Sequence, residues 1–509
     1  MTIMSRRSFL GASAATAATF AMRPGAWAQG TPQASPVAGA SVDPAALEDL
    51  RSRLDGTLML PGDSGYDAAS APANGRWLDV RPAAVARCAN EDDVVTCVAW
   101  CTENGVSPVP RGGGHNYAGF SATTGLLIDI RRLNSFDVDR NAGTAVVGGA
   151  ALNNDAMIAF ENGPVFIPGG TCLGVGYGGL TLGGGIGYNA HWAGLTCDHL
   201  TASRIVTADA QILDIDASSH PDLFWACRGG TGGTFGINTS LTFNLVDVPS
   251  QDVGWYRFDY MGADDAMAVH AAFDRIIQTA PAALNAVAMS EPTEIASGDA
   301  RAAVHTMSRG QYIGPVDELR ELVQPLLDAA TPTKQVLQPM PFWAIQRMIA
   351  SAEPEPHSWG DVSRYAAEPL SDDIVAAMVD YVVDSPYRTD DANGSIWSLA
   401  WVGGDVINAV PRDETAYVHR GVTTLLRPTT VWPNGETAMG DELNAWTDAV
   451  IDTLKPVTLA ESYQNFPNRM IEDWEQLYFG ENYERLVDVK TAYDPGNLFN
   501  NPQSIQPRS

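Results

Sequence analysis

Between residues 169 and 187, ten of nineteen residues are glycine. Glycine loses more backbone entropy on folding than any other residue, so such a run persists only where the chain takes positive φ or lays its backbone close to something else. Gly174-Val175-Gly176-Tyr177-Gly178-Gly179 satisfies G-x-G-x-x-G, and Asp198 follows about twenty residues on. That fingerprint marks a dinucleotide fold when the loop opens a helix holding a pyrophosphate at its N-terminus. Here the glycines run on through Gly183, Gly184, Gly185 and Gly187. The reading is therefore a loop lying along an extended flat ligand, donating backbone N–H groups, with no helix starting in it.

A second loop, Pro110-Arg111-Gly112-Gly113-Gly114-His115-Asn116-Tyr117, has the same quality. Three glycines leave successive N–H groups free to form an anion nest, for which a phosphate-bearing cofactor is the natural occupant. The chain before it has a βαβ-like rhythm. Asn90 caps a predicted helix with Glu91, Asp92 and Asp93 in its first turn, a stripe of Val94, Val95, Val98 and Cys101, and Gly105 as its stop. Residues 106–110, 126–130, 145–147, 205–208 and 240–248 read as strands.

From about residue 250 glycine thins out and helical stripes lengthen, as at Leu319, Leu322, Val323 and Leu326, or after Ser371. Strand candidates at 394–402 and 422–426 lie between them, giving a second, α+β region. No period of 20–50 residues recurs, which excludes a solenoid or propeller.

The N-terminus reads separately. Ser5-Arg6-Arg7-Ser8-Phe9-Leu10, a small-residue run and Ala26-Trp27-Ala28 predict a twin-arginine export signal over residues 1–28, leading to the periplasm or outside the cell. Residues 29–45, rich in Pro, Ala, Ser and Gly, read as a flexible linker. The signal's apolar run is too short to span a bilayer, so no membrane insertion is expected. Sixty acidic against 31 basic residues give a net charge of −29, which repels phosphate backbones and argues against nucleic-acid binding. The six cysteines show neither a C-x-x-C pair nor zinc spacing, so no metal site is expected.

Four stretches together resemble the berberine bridge enzyme-like flavoproteins of the vanillyl-alcohol oxidase (PCMH-type FAD-binding) superfamily. They are Arg111 to Tyr117; Cys172-Leu173-Gly174-Val175-Gly176-Tyr177-Gly178-Gly179; His220-Pro221-Asp222-Leu223-Phe224-Trp225 with Arg228-Gly229-Gly230; and the tail from Glu481 to Phe499. The resemblance spans roughly residues 75–505. It implies an α+β fold in three parts. Residues 46–250 form an FAD-binding domain, 251–455 an inserted substrate domain with an antiparallel sheet, and 456–509 a segment returning to the FAD domain.

The resemblance also implies FAD held covalently through His115, with Cys172 as a second link. The remaining cofactor contacts would be Arg111, Gly112, Gly113, Gly114, Asn116, Gly174, Val175, Gly176, Gly178, Gly179, Gly183, Gly184, Gly185, Gly187, Ile237 and Asn465. Val175 matches a position that gates oxygen, where valine goes with oxidase behaviour and O2 as acceptor. Tyr463 and Tyr117 match tyrosines of the family's pocket and are the candidates for base or orienter of a small-molecule alcohol substrate. Three positions depart from the pattern: Leu173 replaces a proline, Leu180 a histidine and Ile186 a tyrosine. Arg427 falls where the substrate sheet usually presents Glu, Asp or Gln. An arginine cannot be a general base, but it can lower a tyrosine's pKa or bind a substrate carboxylate. The expected function is an FAD-dependent oxidase acting on CH–OH, with a dehydrogenase, or a flavin-bearing protein that has lost catalysis, as alternatives. Trp397 and Trp401 read as core of the sheet, or as a stacking surface for a ring.

Overall fold

The computed structural model describes residues 42–296, 298–350 and 357–508. The export signal predicted over residues 1–28 and most of the predicted linker lie outside the described residues. The first helix, Pro44–Arg53, already takes in Pro44 and Ala45, because the Asp43 side chain caps it at Ala45 N–H.

Local rules hold well between residues 42 and 130. Helix Glu91–Asn104 starts at Asn90, whose side chain accepts from Asp93 N–H, and stops at Gly105 in the left-handed conformation. Cys97 and Trp100 complete its buried face beside Val94, Val98 and Cys101, while Val95 is only partly buried. The helix packs on a four-stranded sheet in the order Thr57–Met59, Ala84–Arg87, Leu126–Asp129, Pro108–Arg111, whose last three strands are parallel. A second sheet of five antiparallel strands runs Phe136–Asp139, Thr144–Gly148, Ile237–Asn244, Leu200–Val206, Ile212–Asp216.

Residues 253–433 supply a nine-stranded antiparallel sheet. One face carries Tyr256, Phe258, Tyr260, Ala286 and Ala288, which pack in one core with residues of helices Ala263–Ile277 and Val316–Ala329. The other face turns Val287, Leu399 and Leu425 toward Ile186 and Tyr463. The strand expected at 422–426 runs instead over Thr424–Pro433, with Arg427 opposite Trp397.

One expectation needs correction. A helix does start in the glycine run: Tyr177–Leu182 leaves directly from Gly176 and ends at Gly183. Tyr177, 1% exposed, anchors it by donating its hydroxyl to Ile167 C=O, and Gly178 lets the chain close on Gly149 C=O. The dinucleotide fold is excluded on other grounds, since the flanking five-stranded sheet is antiparallel.

Candidate active site

Both glycine loops, the inward face of the large sheet and the C-terminal tail enclose an open cavity of about 1760 Å³, its solvent-facing mouth included. Its lining of two glycine-rich loops suits a phosphate-bearing cofactor with a substrate beside it. His115, Cys172, Val175, Ile237, Tyr117, Arg427, Tyr463 and Asn465 all line it, with Gly112, Gly113, Gly114, Asn116, Gly176, Gly178 and Gly179.

The glycines divide into two groups. At Gly179 a Cβ would meet nothing within 4 Å and would project into open space on the cavity side, which is where a ligand approaches bare backbone. Gly113 instead lets the loops touch, since its Cβ would lie 2.4 Å from Gly174 C=O and 2.6 Å from Gly176 N. Gly183, Gly184, Gly185 and Gly187 are not at the cavity. Their missing side chains make room for Asn465, Tyr417, Thr196 and Gly169 C=O. The glycine density thus reflects chain-on-chain packing as much as ligand contact. Gly113→Ala should force the loops apart, and is expected to give protein with a much reduced 450 nm to 280 nm absorbance ratio after FAD loading.

Arg111 also stands behind the cavity rather than in it. It is 2% exposed, and its guanidinium donates to the carbonyls of Ala69, Ser70, Ala71 and Ser121. Burial lowers its pKa to about 10. Its role is to fix the nest. Asn116 shapes the same loop by accepting from Ala118 and Phe120 N–H at 3.0 and 2.9 Å. Cys172 is half-buried beyond it, and Asn153 donates to its carbonyl at 2.7 Å.

Tyr463 sits 2% exposed at the cavity wall. Its phenol oxygen accepts from Gly185 N–H at 3.1 Å, Ile186 N–H at 3.2 Å and Asn465 Nδ2 at 3.1 Å. No acceptor for its own proton stands within hydrogen-bonding range among the described residues. Burial pushes its pKa up to about 12, while these three donors pull the other way. The Ile186 departure is harmless here, because the contact uses its backbone.

Tyr117 belongs to a second cluster. Arg427 donates from Nη2 to the Tyr117 hydroxyl at 3.1 Å and pairs with Asp361 through two bonds of 2.9 Å. Its guanidinium also lies 4.3 Å from the Phe466 ring centroid. Burial works against the charge on Arg427, but Asp361 more than restores it. Burial raises the pKa of Tyr117, and that of Asp361 despite Arg427. Arg427 is therefore a neutralised, 18% exposed strut rather than a free surface arginine. Asp361, fully buried, was missed from sequence. The expected acid position holds Arg427, and the carboxylate stands on the neighbouring strand, where Asp361 pairs with Thr429 in register. No sequence pattern announces that register. Trp397 is partly buried and Trp401 is 5% exposed at the cavity edge, packed with Ile186 and Tyr463.

The chain matches two family profiles, one described as "FAD binding domain" over residues 82–216 and one as "Berberine and berberine like" over residues 462–506. It is 32% identical to the uncharacterized FAD-linked oxidoreductase YgaK of Bacillus subtilis over 466 residues, covering 90% of this chain and 98% of that protein. It is 28% identical to the glucooligosaccharide oxidase of Sarocladium strictum, covering 87% and 91%. Among solved structures, a variant of BBE-like 1 from Physcomitrella patens superposes with a TM-score of 0.80 at 25% identity, covering 91% and 99%.

Proposed function

From the chain's membership of the berberine bridge enzyme-like family of FAD-dependent oxidoreductases, we propose that it is an oxidase of hydroxyl-bearing substrates with covalently held FAD. The observation that carries this reading is Tyr463, a phenol facing the cavity whose oxygen takes three N–H donors and which has no acceptor for its own proton among the described residues. When bound, FAD supplies the hydride acceptor for the carbinol C–H and returns the electrons to O2 as H2O2. His115 and Cys172 would hold the flavin, Gly112, Gly113 and Gly114 would receive its phosphates, and Gly179 would let it lie against bare backbone. Val175, at the cavity wall, is the position we assign to oxygen access.

The chain's own residues handle substrate and proton. Tyr463 takes the hydroxyl proton, and the three donors stabilise the phenolate that must precede it. The Arg427–Asp361 pair holds the Tyr117 hydroxyl at the cavity wall, on the same Phe466 ring that Tyr463 packs against, where it orients the substrate. The glucooligosaccharide oxidase among the relatives favours carbohydrates over simple alcohols or secondary metabolites as donors. We also assign residues 46–250 and 456–509 to cofactor binding and 251–455 to the substrate. On residues 1–28 we propose export of the folded, loaded protein by the twin-arginine route.

Two measurements test this. Acid-precipitated protein should stay yellow, and His115→Ala should lose most of that retained colour, or all of it if Cys172 makes no second link. A peroxide-coupled screen of sugars, alcohols and phenolics should find a donor. Turnover with a dye under anaerobic conditions, and none with O2, would make the protein a dehydrogenase. A colourless protein after refolding with FAD would sink the flavoprotein reading.

A further inference from the structure

Tyr463 lies in a short segment whose flanking side chains converge on one imidazole. His419 Nδ1 contacts Glu461 Oε2 at 2.8 Å, and its Nε2 contacts Gln464 Oε1 at 3.1 Å. These partners stand two residues before Tyr463 and one after it. The His419 side chain is fully buried. Tyr365 stacks on its face, with ring centroids 4.4 Å apart, and Tyr417 meets it edge-on at 5.1 Å. Tyr417 in turn meets the Tyr463 ring at 6.3 Å. From Gln464, which lines the cavity, the contacts run outward through His419 and Glu461 to Arg412 and the exposed Glu481.

Hydrogen-bond chemistry fixes where the protons are. Gln464 Nε2 faces the carbonyl of Gly229 at 2.9 Å, a position that only an N–H can take. Its Oε1 therefore points at His419, and as an acceptor it requires a proton on Nε2. Glu461 Oε1 accepts from Arg412 Nη2 at 2.9 Å. Burial works against the charge on Glu461, but His419 and Arg412 hold its pKa below the usual carboxylate value. An ionised Oε2 is an acceptor too, so Nδ1 carries a second proton. Burial, the largest influence, lowers the pKa of the ring, as Arg412 does, while Glu461 and Gln464 oppose them. The contact decides between the two, because an Nδ1 lone pair held 2.8 Å from a carboxylate oxygen would be repelled. A buried ion pair adds little net stability over an apolar replacement of the same shape; what it can add is a single arrangement.

We propose that His419 is a positioning residue for the reaction: doubly protonated, it clamps Glu461 and Gln464 and so fixes the Tyr463 phenol between them against Gly185 N–H, Ile186 N–H and Asn465 Nδ2. This rests on the reading of Tyr463 as the proton acceptor. The main chain of the segment has anchors of its own, since Tyr463 N–H donates to Ser363 Oγ at 3.0 Å and Glu461 C=O accepts from Tyr365 N–H at 3.2 Å. His419 adds the side-chain hold. Both of its bonds are charge-assisted, which makes each about twice as strong as a neutral one. Without the charge on the ring, the bond to Glu461 is lost and the bond to Gln464 weakens.

The test is nuclear magnetic resonance of the flavin-loaded protein carrying histidine labelled with nitrogen-15 in the ring. Wild type should show, at neutral pH, a ring with a hydrogen on each nitrogen that disappears in His419→Gln. Glu461→Gln, which keeps the shape of the side chain, should leave that ring with a single N–H, and identifies it equally well if His419→Gln does not fold. In Glu461→Gln, hydrogen exchange at Gly185 and Ile186 N–H, the donors to the phenol, should quicken about tenfold or more, with exchange in helix Glu91–Asn104 unchanged. Its kcat should fall roughly ten- to hundredfold at unchanged substrate Kd. A single N–H on the wild-type ring, or two that survive Glu461→Gln, overturns the charged clamp. A ring that loses its second proton in Glu461→Gln while Gly185 and Ile186 exchange as in wild type, or while kcat holds, overturns the positioning role. Spectrum and exchange need no turnover, so a protein that oxidises no donor loses the oxidase reading while the clamp is judged on these two.

Discussion

Tyr463→Phe is expected to cut kcat/KM by roughly two to four orders of magnitude while the protein stays yellow. The variant keeps the ring and its packing against Phe466, 5.0 Å away, and loses the one oxygen that takes three N–H donors. The wild-type enzyme should also show a distinctive pH profile. Burial pushes the tyrosine pKa up to about 12. Below that value each unit of pH raises the phenolate fraction tenfold, so log kcat/KM should climb with pH until another step limits it. Tyr463→Phe should remove this rise. An unchanged rate and profile in Tyr463→Phe would move the proton-accepting role to the Tyr117–Asp361 cluster. The variant should also be somewhat less stable, because Gly185 and Ile186 N–H lose a buried acceptor, a cost of about 1–3 kcal/mol.

Lys490→Met should produce the largest loss of stability, about 3–5 kcal/mol by denaturant titration. The Lys490 and Asp494 side chains are fully buried and paired at 2.7 Å. The ammonium also donates to Thr234 C=O at 2.7 Å and Phe499 C=O at 2.6 Å. Asp494 in turn accepts from Leu498 and Phe499 N–H at 2.7 and 2.9 Å. Burial lowers the lysine pKa against the pull of its partner, so the charge survives only through this full set of bonds. Removing the ammonium leaves a buried carboxylate without its cation. The tail it fixes supplies Asn500, Asn501 and Gln503 to the cavity wall, so Lys490→Met should also weaken flavin retention. Lys490→Met/Asp494→Asn should be less damaging than the sum of its single changes. A Lys490→Met protein as stable as wild type would mean that the pair contributes nothing net.

Much of the site is legible in the sequence because its chemistry is written in contiguous loops. Arg111 through Tyr117 and Cys172 through Gly179 name the nest, the proposed flavin anchors and the close-approach glycines in linear order. Helix Glu91–Asn104 was equally readable, since Asn90, three acids and Gly105 are local instructions. The reading of the later glycines was less accurate, for a physical reason. A glycine needed for close approach looks the same whether the neighbour is a cofactor or another strand of backbone. Only packing shows that Gly185 makes room for Thr196 and Gly187 for Gly169.

The sequence alone determined the α+β class and the two glycine-rich loops, and its resemblance singled out the tyrosine at 463, because each rests on residues close together in the chain. Tertiary structure decided what that tyrosine can do, by bringing Gly185 and Ile186 to its oxygen across 278 and 277 positions, beside the local Asn465. It also decided which cations are spent. Arg427 finds Asp361 on the neighbouring strand, and its charge is spent there. Such pairings depend on strand register, and register is fixed by the assembled sheet, not by any local pattern.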